Sequence, residues 1–456
     1  MNSIYDKIPF PSDAPPENST AIIDIPKATR KSKKDTPVAS ASGEGAILAK
    51  QRLTIELLES ELKRRGYVVR YNILKKRTEI TKYAAKKRER IPLDSFVTSL
   101  HSAIGGIYTN AGFPSIERYI DKIAADHEYN PVIEYFENIK WDGKQRISEV
   151  FQILRIPDED FLSRALIKKW LLQTAAMPYN QVPVLDDKHA VQAYGAEGVL
   201  TLQGEQGAGK TSFFRKLALY WFEEGARLDD SDKDLRRRAI TAWITELGEV
   251  ESTFKKSSVE TLKSFITQSI DRFRLPYGRA DIEGARITSM CATCNGTGFL
   301  ADTTGNRRWF IIPLTGKIDL DALGNLDVEQ LWAEYFEQVR SMNQKQRAAC
   351  FRLSPEERAA LDKRNSGYMK PVAAQEDIKL LLEEATDNPY YVWKYISVSD
   401  WQKEYDSLRR YSYSQIGIAL RALGYSKTHT NQGNFYTLPV RKYGIIPLPV
   451  TDAKEN

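Results

Sequence analysis

The eight residues Gly204-Glu-Gln-Gly-Ala-Gly-Lys-Thr211 complete the pattern G-x-x-x-x-G-K-[ST], and no other feature constrains the fold as tightly. The apolar run Gly198-Val-Leu-Thr-Leu-Gln203 before it reads as a strand, and Ser212-Phe-Phe-Arg-Lys-Leu-Ala-Leu219 after it reads as a helix. A phosphate-binding loop needs this context. Its glycines let successive backbone N–H groups turn inward, and the helix N-terminus adds a positive dipole. Gly204, Glu205, Gln206, Gly207, Ala208, Gly209, Lys210, Thr211 and Ser212 are therefore the candidate nucleotide-binding residues. Lys210 can reach the β- and γ-phosphates and the Thr211 hydroxyl can ligate Mg²⁺, which makes ATP and Mg²⁺ the expected ligands. No Asn-Lys-x-Asp run for guanine recognition accompanies the loop.

The 456 residues suffice for two or three domains. A net charge of +6, from 66 basic and 60 acidic residues, permits a nucleic-acid partner without demanding one. Three cysteines, Cys291, Cys294 and Cys350, cannot make a disulfide framework, so a reducing cytoplasm is expected. The N-terminus lacks a signal-peptide layout, and no apolar stretch approaches the ~20 residues of a membrane span.

Five segments are expected. Residues 1–47, with the basic run Lys27 to Lys34, read as a disordered tail. Residues 48–185 read as a mostly helical accessory domain, with helices starting near Leu53, Ser95, Ile116 and Phe161, a strand at Tyr67–Asn72, and a turn at Trp141–Lys144. Its basic run Lys82–Arg90 reads as a solvated helix face or a DNA contact. Residues 186–345 alternate short apolar strands with helices, as an α/β core with a parallel sheet does. Residues 346–376 read as a helical linker and 377–456 as a small separate unit.

The residues after the loop narrow the chemistry. Ala242-Trp-Ile-Thr-Glu-Leu-Gly-Glu-Val250 is an apolar strand ending in acids, where phosphoryl-transfer sites place one carboxylate near Mg²⁺ and another near the attacking water. Glu246 is assigned to the metal and Glu249 to the water, with the reverse assignment left open. Ile287-Thr-Ser-Met-Cys-Ala-Thr-Cys-Asn295 is a second strand, and Asn295 at its tip can sense the γ-phosphate or the lytic water. Cys291 and Cys294 form a lone pair without a nearby His and read as small core residues. In Asp302-Thr-Thr-Gly-Asn-Arg-Arg-Trp309, Arg307 or Arg308 suits an arginine finger acting on nucleotide held by a neighbouring subunit, which implies an oligomer. Lys263, Arg272, Arg274, Tyr277, Arg279 and Arg286 mix cations with aromatic rings, the composition of a single-stranded DNA contact. A hairpin packed on its own core is the other reading of that stretch.

Taken in order, Gln-Gly-Ala-Gly-Lys-Thr, Trp-Ile-Thr-Glu-Leu-Gly-Glu, Arg-Leu-Pro-Tyr-Gly-Arg, Ala-Thr-Cys-Asn and Asp-Thr-Thr-Gly-Asn-Arg-Arg-Trp resemble the virulence-associated protein E family. Those are phage, prophage and phage-satellite ATPases similar to superfamily 3 replicative helicases of the AAA+ class. Residues Ile123–Pro131 and Ile139–Arg146 also look like that family's accessory region, so the resemblance spans roughly 115 to 345. Ala285-Arg286 and Cys294-Asn295 stand where the family often has Pro-Arg and Thr-Asn. The resemblance implies an AAA+-like P-loop core in an ATP-driven ring, expected to be a hexamer, translocating on single-stranded or forked DNA in a bacterial or phage-infected cell. It implies that Lys210, Thr211, Glu246, Asn295 and the paired arginines act as assigned above. Too little sequence precedes the helical region for a primase, so primase and polymerase would come from other proteins.

In the last unit Ser399 is read as the cap of a helix through Arg409, and Ser412 with Gln415 as the capping box of a second helix ending at Gly424. A hairpin with its turn at Asn431–Asn434 follows, giving a winged-helix-like DNA-binding module with Arg409, Arg410, Arg421, Lys427 and His429 as phosphate contacts. Two functions then compete: a DNA helicase or replication initiator, and an ATP-switched DNA-binding regulator without processive unwinding.

Overall fold

The computed structural model describes residues 51–84, 87–182, 192–226, 233–248, 259–274, 281–296, 298–300, 306–369, 373–430 and 433–442. The tail expected over residues 1–47 lies outside them. The chain is mixed α/β and divides into one unit of residues 1–296 with 302–366, and a second of 297–301 with 367–456.

The first unit is organised by a five-stranded sheet of β1 (Val199–Gln203), β2 (Phe222–Ala226), β3 (Ile244–Leu247), β4 (Ser289–Cys294) and β5 (Trp309–Pro313), in the order β5-β1-β4-β3-β2. Every neighbouring pair is parallel. Strands β1 and β5 are continuous apolar runs because both faces of a parallel sheet are covered. Cys294 lies beside Gln203, and Val199 lies beside Trp309. The chain therefore leaves β1 and β4 at one edge of the sheet and enters β1 and β5 at the opposite edge.

One hydrophobic core surrounds this sheet and draws on residues from Leu74 to Leu361. Trp170, Trp243 and Trp332 are fully buried. Their indole N–H groups donate to the carbonyls of Met290, Thr174 and Leu217 at 2.8, 2.8 and 2.7 Å. Each ring removes roughly 200 Å² from water, worth about 5 kcal/mol of transfer free energy before entropy is counted. The helix Phe161–Ala176, read from sequence as accessory, thus packs on the sheet itself, and the core draws on residues from both sides of the expected boundary, Met177 and Tyr194 among them. It also runs past residue 346. Phe351 and Leu361, between and within the helices Gln344–Cys350 and Pro355–Ser366, belong to the same core.

The region from 53 to 129 carries a separate core built on Leu58, Leu62, Phe96, Leu100, Ile116 and Ile120. Its helices are Ile55–Arg64, Leu93–Ile104 and Phe113–Asp126. The first ends, as expected, just before Gly66, whose φ of +73° suits a residue without Cβ. Beside these helices lies a four-stranded sheet ordered Lys87–Ile91, Arg77–Ala84, Tyr67–Asn72, Glu128–Tyr129, of which only the strand Tyr67–Asn72 was expected from sequence. The basic run Lys82–Arg90 lies on two antiparallel strands, not on a helix. Asn72 closes the turn into the second strand, its Oδ1 accepting from the Leu74 and Lys75 amides. An edge strand tolerates the lysines and arginines that hid its period.

The second unit has its own core around Trp401, Ile416, Tyr436 and Leu438. Its antiparallel sheet is ordered Tyr391–Ser397, Gly433–Arg441, Thr428–Thr430. The Ser412–Gln415 capping box forms as expected. The earlier cap is Ser397, whose hydroxyl accepts from the Asp400 amide, rather than Ser399, and that helix ends at Glu404. Among the described residues no helix is long and apolar enough to cross a membrane.

Candidate nucleotide-binding site

The loop leaves β1 at Gln203 and enters the helix Lys210–Leu217. Gly207 and Gly209 have φ of +77° and +87°, a region that L side chains avoid. A Cβ on Gly207 would meet nothing within 4 Å, whereas one on Gly209 would sit 3.0 Å from the Leu320 side chain. The loop thus packs on one side and is open on the other, where the first N–H groups of the helix lack intrahelical acceptors.

Four of the candidate side chains meet at this edge. Lys210 is buried, and its ammonium donates to the carbonyls of Gly204 and Glu205, both at 2.7 Å, and to Asn295 Oδ1 at 3.0 Å. Asn295 follows the last residue of β4, so strand register alone puts it beside the loop. The Thr211 hydroxyl donates to Glu246 Oε1 at 2.8 Å, and the Thr293 hydroxyl donates to the same oxygen at 3.0 Å. Glu246 is a carboxylate of β3, buried to 3% exposure. Burial raises its pKa above the ordinary carboxylate value, against the opposing effect of the two hydroxyls. Burial also lowers the Lys210 pKa, with Cys294 and Glu246 pulling the other way.

This donor set fits Mg²⁺. Adjacent oxygens of an octahedral Mg²⁺ site stand about 2.9 Å apart, and Thr211 Oγ1 and Glu246 Oε1 are separated by 2.8 Å. The lysine fits a phosphate, since its three oxygen partners are neutral and offer no compensating charge.

The other sequence-assigned residues are distributed differently. Glu249 lies outside the described residues, as do Tyr277 and Arg279. Strands Ile270–Arg274 and Asp281–Ala285 form an antiparallel ladder. On it Arg272 is exposed and pairs with Glu283 at 2.7 Å. The backbone of Arg274 ends the first strand, and Lys263 is half-buried on the preceding helix Val259–Thr267. Arg286 is not available to DNA. It is 1% exposed, and its guanidinium donates to both Asp271 oxygens at 2.7 and 2.8 Å and to the Phe265 carbonyl at 3.0 Å. Its proximity to the hairpin in sequence reflects an ion pair under that hairpin.

Arg307 is exposed and Arg308 half-buried on a short 3-10 turn just before β5. They stand at the entry edge of the sheet, a strand's length of about 16 Å from the phosphate loop. Cys291 and Cys294 are buried in β4 as expected, and no group of three metal-ligating side chains occurs among the described residues. Thr293 was not singled out from sequence. The signal was present in its hydroxyl, two positions before Asn295 on a strand whose register faces Glu246.

A family model described as "Virulence-associated protein E-like domain" matches residues 136–370. A search of curated proteins gives no match. Among solved structures, the chain is similar to the apo structure of the NrS-1 C-terminal region at 14% identity, covering 84% of this chain and 98% of that one, with a TM-score of 0.42. The A form of the same region matches at 13% identity with the same coverage and TM-score. On the strength of the family match over more than half its length, the chain belongs to the virulence-associated protein E-like family.

Proposed function

We propose that this member of the family is an ATP-hydrolysing DNA motor of a phage, prophage or phage satellite, a superfamily 3-like helicase or replication initiator on an AAA+ core. The observation that carries the reading is the convergence of Lys210, Thr211, Glu246 and Asn295 through direct hydrogen bonds at one sheet edge. The strand order β5-β1-β4-β3-β2, with the loop after β1 and Asn295 after the adjacent middle strand β4, supports the same core.

In this reading Lys210 exchanges its carbonyl partners for phosphate oxygens and so binds and orients the triphosphate. Thr211 and Glu246 would hold Mg²⁺, which would supply charge neutralisation on the phosphates. Asn295, already bonded to Lys210, positions the water or reads the γ-phosphate. Glu249 is assigned the proton of the attacking water. Arg307 or Arg308 lies too far across the sheet to serve the chain's own loop, which favours action on a neighbour's nucleotide in a ring, expected to be a hexamer. Lys263, Arg272, Arg274, Tyr277 and Arg279 are proposed to contact single-stranded or forked DNA, joined by the C-terminal unit acting as a winged helix. Primase and polymerase are assigned to other proteins, and the cytoplasm to the whole assembly.

The test is unwinding of forked DNA with ATP and Mg²⁺. The intact chain should separate the strands and Lys210→Ala should not. ATP turnover without strand separation or movement on DNA would favour an ATP-switched DNA-binding regulator instead.

A further inference from the structure

Val199 of β1 pairs with Trp309 of β5, so the residues just before these strands share the sheet edge opposite the phosphate loop. A pocket of about 210 Å³ opens there, lined by Glu197, Gly195 and the four arginines Arg307, Arg308, Arg352 and Arg358 among others. Glu197 is the only carboxylate lining it among the described residues. It is already engaged twice, accepting from Arg352 at 2.6 Å and from Arg358 at 3.0 Å. Arg352 also donates to the Gly195 carbonyl at 3.1 Å. The Nε atoms of Arg308 and Arg358 are buried and have no hydrogen-bond acceptor among the described residues.

A guanidinium does not lose its proton in a protein, so excess positive charge at a partly buried site must be met by an anion or remain a cost. Burial and the neighbouring Arg307 both lower the pKa of Arg308. Four forked donors around one shared carboxylate leave more N–H groups than Glu197 can accept. A phosphoryl group supplies up to two negative charges and three strong acceptor oxygens in a geometry that guanidinium forks match. The volume takes phosphoryl groups rather than a whole nucleoside, since pockets for drug-sized ligands run from roughly 300 Å³ upward.

We propose that this pocket is a phosphate-binding site, separate from the phosphate loop, in which Arg352 and Arg358 join Arg307 and Arg308 and Glu197 acts as the counter-ion that an incoming phosphate displaces. All its lining residues belong to one chain, so the site does not depend on the ring. The ring reading matters only to the source of the phosphate, whether the tail of a nucleotide on a second copy, a DNA backbone, or the free anion.

The test is calorimetric titration of the full chain carrying Lys210→Ala, with inorganic phosphate, tripolyphosphate and a short single-stranded oligonucleotide as separate probes. Saturable binding of at least one probe is expected, weakened about tenfold or more by Arg308→Gln, the loss of a charge-assisted hydrogen bond. Arg308→Lys should weaken it less. Glu197→Gln should tighten it by removing the competing charge, an outcome that a purely structural role for these residues would not produce. Near-ultraviolet circular dichroism confirms that each variant is folded.

Preference for tripolyphosphate, with recovery of ATP turnover on mixing Lys210→Ala and Arg308→Gln chains, identifies the nucleotide tail of a second copy. Oligonucleotide binding that tripolyphosphate displaces identifies DNA. Preference for inorganic phosphate identifies the free anion. Absence of binding by all three probes, or binding indifferent to both Arg308→Gln and Arg358→Gln, would overturn the proposal while leaving the helicase reading untouched.

Discussion

The ammonium of Lys210 and the side-chain oxygen of Asn295 stand 3.0 Å apart, joining the helix after β1 to the tip of β4. This bond fixes Asn295, proposed as the sensor, relative to the group that would meet the γ-phosphate, so the two residues should fail differently. Lys210→Ala should abolish measurable ATP turnover and weaken nucleotide binding. Asn295→Ala keeps the lysine and its two carbonyl partners. It should lower kcat by about 10²- to 10³-fold with KM for ATP nearly unchanged, because its loss is felt in the transition state. Steady-state kinetics beside fluorescent-nucleotide binding checks both. Equal loss of binding in the two variants would show that Asn295 only supports the loop.

Glu246 gives a prediction in which stability and activity move in opposite directions. Its folded pKa is raised, chiefly by burial. The folded protein therefore favours the protonated acid, and this contribution is complete below the unfolded pKa and lost as pH rises through the folded one. At neutral pH the metal-free chain holds a buried carboxylate at a cost. Glu246→Gln keeps an oxygen for the Thr211 and Thr293 hydroxyls and removes the charge. It should raise Tm in the absence of Mg²⁺, by roughly 2–4 °C for each kcal/mol relieved, while ATP turnover falls at least about a hundredfold. Thermal melts with and without Mg²⁺ check the sign, and the gain should shrink when Mg²⁺ and nucleotide are present.

Two arginines near the hairpin have opposite expected phenotypes. Arg286 is locked to Asp271, with Lys76 4.0 Å from the same carboxylate. Removing Arg286 takes the short hydrogen bonds from a buried carboxylate and leaves it only the longer Lys76 contact, so Arg286→Ala should cost about 3 kcal/mol of stability, read as a lowered denaturation midpoint. Arg272 is exposed, and its pairing with Glu283 contributes little. Arg272→Ala should change stability by less than about 0.5 kcal/mol. If the hairpin contacts DNA, it should also weaken binding and lower the salt dependence by about one ion. Salt titrations of DNA affinity on both variants separate the roles.

These contrasts mark what was legible in the sequence. The loop, β1 and the sensor strand are local signals, glycine spacing and apolar runs that hold whatever surrounds them, and Lys210, Thr211 and Asn295 follow from them. Glu246 was legible for the same reason, as an acid at the end of an apolar strand. The position of Arg286 was not, because charge beside aromatics looks alike whether it faces a nucleic acid or a buried aspartate 15 residues upstream. The strands in the Lys82–Arg90 run were hidden because a run of lysines and arginines shows no apolar period of either two or 3.6. The shared core of residues 74 to 361 was hidden because burial of Trp170 against Met290 is a contact across 120 positions, which no local period records.

Thr293 supplies the last prediction, and its role rests on one hydrogen bond. Its hydroxyl donates to Glu246 Oε1 at 3.0 Å, stabilising the ionised carboxylate that Mg²⁺ requires. Thr293→Val keeps the shape and the β-propensity of β4 while deleting that donor. The Glu246 pKa should then rise further, since only Thr211 and the charge of Arg215 remain to oppose burial. Activity needs the carboxylate, so the acid limb of the kcat/KM profile should move to higher pH, and turnover at a fixed pH on that limb should fall. Raising the pH should restore most of the lost rate, and raising Mg²⁺ should do the same, because either drives the carboxyl to its ionised form. A variant whose rate falls equally at every pH and Mg²⁺ concentration would place Thr293 in the packing of β4 rather than in the tuning of Glu246.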